Sequence, residues 1–265
     1  MVKIACQAIV YGNQDIKDNI ENILKNVAEN KYDGVEIGAR HFYMDKPDYY
    51  IELLNKNNLE IPAIHVGGNF LDKDSVSEQV SGIGDAIKFA KKLDCKYLFL
   101  SGTYKDQKTD DDYLQEARVY EEIGKRCTHE GLVLCYHNHD WEFANNGRGM
   151  ELLLEHVNEE LMKLVPDVGW ITVAGANPVD FIKKYIDRTA ALHFKDFKNY
   201  DIPRVFIEIG DGIVDFEAVY RYFSNAYTDF WIIAEQDMAT NLPEESAKTN
   251  QLYIRELIDK VTTRR

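Results

Sequence analysis

Residues 190–196 read AALHFKD, an apolar run of β-strand type that ends in an imidazole, a lysine and an aspartate. Period-two alternation puts Ala191, His193 and Lys195 on one face of that strand. Two nearby runs end the same way: LVPD at 164–167 closes on Asp167, and WIIAEQD at 231–237 passes Glu235 and Asp237. Trp231, Ile233 and Glu235 share a face there. A carboxylate or imidazole at the end of an apolar strand is costly unless it is paired or metal-bound. Three such groups on consecutive strands point to a fold that brings strand C-termini to one place.

Working outward, short strand-type runs fall at 3–9, 34–37, 60–66, 97–101, 132–137, 161–165, 190–195 and 231–235. Amphipathic stretches at 15–30, 74–93, 112–130 and 244–261 alternate with them. In 74–93 the apolar residues Val76, Val80, Ile83, Ile87 and Ala90 recur at spacings of three and four, the mark of a helix packed on one face. Glycine or aspartate separates helix from strand, as in Glu130-Gly131 before Leu132. This α/β alternation admits a closed barrel or an open doubly wound sheet. No GxGxxG follows the first strand, so the best marker of a dinucleotide-binding sheet is missing. The count of eight favours a (β/α)8 TIM barrel. At 265 residues the chain matches the roughly 250 such a barrel needs. No linker-like composition divides it, so residues 1–265 are expected to form a single domain.

The formal charge of −14, with 45 acidic against 31 basic residues, argues against a nucleic-acid partner, because phosphate neutralisation demands a basic face. Cys6, Cys95, Cys127 and Cys135 form no CxxC or close cluster and are expected to be buried thiols in a reducing compartment. The start MVKIACQAIV lacks a signal-peptide pattern, and no run of about 18 apolar residues suggests a membrane span. A cytoplasmic location is the expectation.

Of seven histidines, His65, His137, His139 and His193 lie at the ends of strand runs, and His41 follows the second. His129 and His156 fall in helices. Active sites of such barrels lie at the C-terminal ends of the strands, so five imidazoles are expected at one rim. Strand five carries the densest polar cluster, CYHNHDWEF at 135–143, with His137 and His139 on one face and Tyr136 and Asn138 on the other. Glu142 either turns back toward the metal or faces solvent while Trp141 and Phe143 anchor the loop. Taken singly, each group has a plainer explanation: Asp167 as a helix cap, His193 as a structural hydrogen-bonding residue, and Glu235 as a partner of Lys195. Two carboxylates with an imidazole on adjacent strands suit Mn²⁺, Mg²⁺, Co²⁺ or Zn²⁺.

At these residues the chain resembles the xylose isomerase-like TIM-barrel superfamily. The resemblance is to its sugar phosphate isomerase/epimerase branch, alongside inosose dehydratases and 3-keto-sugar epimerases. The carrying segments are YHNHDWEF at 136–143, PDVGW at 166–170, AGANPVDFIKKY at 174–185, LHFKDF at 192–197, IEIGDGIVDF at 207–216 and EQD at 235–237. The resemblance implies one divalent cation, Mn²⁺ foremost, held by ligands from strands five to eight. Asp167, His193 and Glu235 match directly. Where many members place a strand-five glutamate this chain has His137, so Glu142 is taken as the fourth ligand and His137 as its competitor. His65, His139, Lys195 and Glu36 are expected to bind substrate. Glu142, Glu235 and His137 are expected to act in catalysis, and GDGIVDF to be a structural loop. Homo-oligomers are common among relatives.

The implied chemistry is proton abstraction next to a carbonyl of a sugar or keto-sugar, through a metal-stabilised enediolate. Reprotonation gives an isomerase or epimerase; loss of a β-hydroxyl gives a dehydratase. Two other classes stay in view. An abasic-site endonuclease of the same superfamily needs a trinuclear zinc cluster and sits badly with the negative charge. A non-catalytic sugar-binding barrel would lack the metal ligands. No compact phosphate cradle stands out; Lys195, Arg148 and Arg204 are candidates to contact an anionic substrate, with a surface charge as the plainer reading of each.

Overall fold

The apolar runs form eight parallel strands in a computed structural model that describes residues 1–263. They are β1 (Val2–Gln7), β2 (Gly34–Gly38), β3 (Ala63–Gly67), β4 (Tyr97–Ser101), β5 (Val133–His137), β6 (Lys163–Leu164), β7 (Leu192–Phe194) and β8 (Phe230–Ala234). Their order around the sheet is β6-β5-β4-β3-β2-β1-β8-β7. Between β6 and β7 two isolated parallel bridges, Leu164–Thr189 and Asp167–His193, complete the circuit. The sheet is therefore the closed barrel that the strand count predicts, and its seam sets Asp167 beside His193.

Helices ring the strands: α1 (Asn13–Asp18), α2 (Ile20–Glu29), α3 (Pro47–Asn57), α4 (Val76–Lys92), α5 (Asp110–Glu130), α6 (Ala144–His156), α7 (Val168–Val173), α8 (Pro178–Lys184), α9 (Phe216–Ala226) and α10 (Pro243–Thr262). The structure departs from the sequence-based boundaries where local hydrogen bonds intervene. The run 15–30 divides at Asn19 into α1 and α2. Helix α5 starts at Asp110 rather than 112, because Thr109 and Asp112 form a capping box. The first strand stops at Gln7, whose side chain accepts from the Ile9 N–H at 2.5 Å and starts a 3₁₀ turn. The sixth is shortest, because the N–H groups of Leu161 and Met162 bond back to the Asn158 carbonyl.

Apolar side chains fill both sides of the sheet. Inside, Ala5, Ala63, Tyr97, Phe99, Cys135, Val165, Ala191, Trp231 and Ile233 pack a plug beneath the polar rim. Outside, the apolar faces of the helices cover the strands in a second, larger core. All four cysteines are buried and free. No helix among the described residues is long and apolar enough to cross a membrane. Gly169, in the first turn of α7, lies so close to β7 that a Cβ there would run into the Lys195 carbonyl. Its missing side chain lets α7 start flush against the neighbouring strand.

After β7 a short antiparallel pair, Asp196–Phe197 with Phe206–Ile207, leads into the GDGIVDF loop. The loop is structural. The buried Asp196 carboxylate accepts from the N–H groups of Phe197, Gly210, Gly212 and Val214 at 2.9–3.2 Å. Asp215 then caps α9 through the Ala218 N–H.

Candidate metal centre and pocket

Strand ends β5 to β8 deliver His137, Asp167, His193 and Glu235 to one buried cluster. One donor atom from each lies within 4.8 Å of all the others. Glu235 Oε2 stands 2.8 Å from His193 Nδ1 and 3.2 Å from His137 Nε2. Asp167 does two jobs at once. Its Oδ1 caps α7 by accepting from the Trp170 N–H at 2.9 Å, the plainer role its sequence position suggests. Its Oδ2 is fully buried without a hydrogen bond, 3.4 Å from His137 Nε2. A buried carboxylate oxygen left unbonded is expensive. Aimed at three other donor atoms, it fits a divalent cation.

From strand five it is His137, not Glu142, that reaches the cluster. The chain turns after His139, and Glu142 swings under that turn to the outer side of the sheet. There it accepts from the Tyr136 hydroxyl at 2.8 Å and the His139 N–H at 2.7 Å. It is fully buried, so the expectation of a ligand and that of a solvent-facing residue both need correcting. Period-two alternation turns Tyr136 outward and His137 inward, while Glu142, in the 3₁₀ turn Trp141–Phe143 beyond the strand, is held on the outer side by its bonds to Tyr136 and His139. Asn138, which sequence reasoning left unassigned, joins the ends of β5 and β6. Its amide donates to the Asp167 carbonyl at 3.3 Å and accepts from the Asp167 N–H at 3.0 Å.

Burial raises the Glu142 carboxyl to about 7, although Lys108 and its two hydrogen bonds oppose the shift. A carboxyl with a raised folded-state pKa binds its proton more tightly in the native protein than in the unfolded chain. Its contribution to stability is present below about 4.5, the unfolded value, and is lost as pH climbs to about 7. Glu142→Gln should remove that loss, so stability relative to wild type should rise by about 3 kcal/mol between pH 4.5 and 8. Urea denaturation of both proteins across that range checks it. Parallel pH curves would count against a buried, titrating Glu142.

Lys195 is not a surface charge. Its ammonium is buried 3.2 Å from Glu235, 3.1 Å from Asp237 and 3.6 Å from Asp167. Burial opposes that charge, but Asp237, Glu235 and Asp167 together hold the lysine above its ordinary range. The ammonium also lies 5.0 Å from the centre of the Trp170 ring. Burial likewise opposes charge on His193, yet Glu36 and Glu235 push it up to about 10. Glu36 falls to about 2, since His193 and His65 outweigh its desolvation. His139 goes the other way: burial, then the nearby His137 and Lys195 charges, keep it neutral.

Above the cluster opens a pocket of about 290 Å³, with His65, His139, Lys195 and Glu235 in its wall beside Arg40 and Trp141. Its size is near the lower end of ligand sites, about 300–1,000 Å³. His139 stacks on Trp141 at 4.1 Å with ring planes 9° apart. Glu36, expected to contact substrate, does not line this space. It is fully buried, with Oε1 2.8 Å from His65 Nδ1 and Oε2 2.8 Å from His193 Nε2. Arg148 pairs with Asp110 at the surface, whereas Arg204 is partly buried, pairing with Asp140 and donating to the Val173 carbonyl.

Among known proteins, an inosose dehydratase of Geobacillus kaustophilus (strain HTA426) is 24% identical over 270 residues, covering 90% of this chain and 87% of that one. A solved sugar phosphate isomerase/epimerase from Parabacteroides distasonis ATCC 8503 superposes with a TM-score of 0.79 at 18% identity, over 96% of this chain and 93% of that one. A solved L-ribulose 3-epimerase gives 0.81 at 14% identity, over 100% and 97%. The structural likenesses show the shared barrel. The family description "Xylose isomerase-like TIM barrel" matches residues 24–257. The chain belongs to the xylose isomerase-like TIM-barrel family.

Proposed function

We propose that this chain is a divalent-metal-dependent isomerase or epimerase that moves a proton next to the carbonyl of a sugar or keto-sugar. The observation that carries the reading is the buried cluster of His137, Asp167, His193 and Glu235 at the base of a small polar pocket. These four residues would hold the cation, and their mixed nitrogen and oxygen donors suit Mn²⁺ first, with Mg²⁺, Co²⁺ or Zn²⁺ as alternatives. When bound there, the cation supplies Lewis-acid polarisation of a carbonyl. The protein's own residues supply the rest. Lys195, held by Asp237, presents a fixed ammonium to a substrate oxygen. His139 is neutral, the form that accepts a proton, and Trp141 sets the plane of its ring. Glu235 and His139 are the groups placed to move the proton. His137 stands among the cation's donors rather than acting as a free base.

A second reading, a dehydratase acting on an inosose or keto-sugar, is favoured by the inosose dehydratase relative. It shares the first proton abstraction and differs in losing a β-hydroxyl afterwards. Both are tested by loading the protein with Mn²⁺ in D₂O and offering keto-sugars and inososes. Proton NMR reads solvent deuterium in the carbon next to the carbonyl, and ultraviolet absorbance reads an unsaturated ketone. Deuterium in an isomer or epimer supports the first reading, and an unsaturated product the second. A protein that binds Mn²⁺ yet exchanges no proton in any of these compounds would overturn both.

A further inference from the structure

Six side chains from β2, β3, β4, β5, β7 and the end of β8 form a closed ring of polar contacts around the barrel mouth. Starting at Glu235, its Oε2 lies 2.8 Å from His193 Nδ1. His193 Nε2 then lies 2.8 Å from Glu36 Oε2, and Glu36 Oε1 lies 2.8 Å from His65 Nδ1. His65 Nε2 meets the Ser101 hydroxyl at 2.8 Å, and that hydroxyl stands 3.4 Å from His137 Nδ1. His137 Nε2 returns to Glu235 Oε2 at 3.2 Å. Glu36, His137 and His193 are sealed from solvent, and His65 is only partly exposed.

The chemistry of the groups sets where the protons would sit once a cation takes the place of the Glu235 contacts. A carboxylate only accepts, so the His65 nitrogen bonded to Glu36, Nδ1, carries hydrogen. His193 Nε2 makes a 2.8 Å contact with Glu36 Oε2 that lacks hydrogen-bond alignment, and the carboxylate favours a proton there by its charge. With a cation at the cluster, His193 would turn its Nδ1 lone pair to the metal in place of the Glu235 contact and keep its one N–H at Nε2, beside Glu36. His65 Nε2 is likewise a lone pair and accepts the Ser101 O–H. With its proton committed to His65, the Ser101 oxygen accepts the Nδ1–H of His137. His137 Nε2 would then be the lone pair offered to the cation, in place of its contact with Glu235.

We infer that Glu36, His65 and Ser101 form a positioning relay that locks His193 and His137 in the tautomers needed to bind a cation. One buried carboxylate on β2 thereby orients two donors, one directly and one through two further side chains. The relay rests on the metal reading of the cluster given above. It assigns Glu36 and Ser101 a role that needs no contact with substrate. Partners of this kind that orient a ligand histidine change metal affinity by about 10- to 100-fold when removed.

The test uses Ser101→Ala, Ser101→Thr and Glu36→Gln beside wild type, with melting of each metal-free protein to monitor folding. Calorimetric titration with Mn²⁺ reads affinity. Long-range ¹H–¹⁵N correlation of the Zn²⁺-loaded proteins reads tautomers directly. The relay requires wild type to show His193 as its Nε2–H form and His137 as its Nδ1–H form. Ser101→Ala should weaken Mn²⁺ binding by about 10- to 100-fold and remove the single His137 tautomer, while Ser101→Thr restores both. Glu36→Gln should weaken binding at least as much, since its amide offers a donor where the relay needs an acceptor. Should Glu36→Gln fail to fold, the two Ser101 variants carry the test alone. Unchanged Mn²⁺ affinity and unchanged tautomers in Ser101→Ala would overturn the relay alone. Wild type that takes up no Mn²⁺ would overturn the metal reading beneath it.

Discussion

Asp167→Asn is expected to weaken Mn²⁺ binding by at least about 100-fold and to slow catalysed proton exchange on the order of 10³-fold, with the fold intact. The two oxygens of Asp167 have separate duties, which makes this substitution selective. Asparagine keeps a carbonyl oxygen where Oδ1 accepts from the Trp170 N–H at 2.9 Å, so the cap on α7 survives. It replaces Oδ2, the buried atom without a hydrogen bond, by an amide nitrogen that has no lone pair for a cation. The bonds between the Asp167 backbone and the Asn138 side-chain amide are untouched. Calorimetry reads the affinity, exchange into a substrate reads the rate, and the metal-free melting temperature confirms the fold. Wild-type affinity in a folded Asp167→Asn protein would remove Asp167 from the metal centre.

Asp196→Ala is expected to destabilise the protein by about 3–5 kcal/mol. Its carboxylate is the shared acceptor for four backbone N–H groups, those of Phe197, Gly210, Gly212 and Val214. Each buried donor left unbonded costs about 1–3 kcal/mol. Gly210 and Gly212 lie partly exposed, so water recovers some of that loss. Asp196→Asn should be nearly as damaging, because its NH₂ group faces donors instead of accepting from them. Urea denaturation measures both. A loss below about 1 kcal/mol would mean that the GDGIVDF loop holds its shape without the carboxylate.

These two aspartates mark different degrees of legibility. Asp167, His193 and Glu235 were readable as a group because each ends an apolar strand run, where local alternation alone decides the inward face. The helix-cap reading of Asp167 and the cluster reading proved compatible, one oxygen serving each. Glu142 was misplaced because it lies five residues beyond the end of β5, past the reach of period-two alternation, where the direction of the turn is a packing outcome. The burial of Lys195 among carboxylates was not legible, because composition carries no record of Asp237 and Glu235 closing around it from the next strand. Ser101 and Asn138 carried no chemical signal of their own, since a strand-end hydroxyl or amide is ordinary until its neighbour is known.

By itself, the sequence determined the eight-strand alternation, the strand ends that face one rim, and carboxylate and imidazole donors at the ends of strands six to eight. Those features follow from hydrophobic periodicity, a property of residues close together in the chain. Only the tertiary structure decided which strand-five group joins the cluster, where Glu36 sits, and how six side chains link into a ring. Those outcomes depend on barrel closure, which brings Glu36 within 2.8 Å of His193 and sets Asp167 beside it across the β6–β7 seam. Contacts between residues so far apart in the chain are set by strand register and closure, and neither is written in any short stretch of residues.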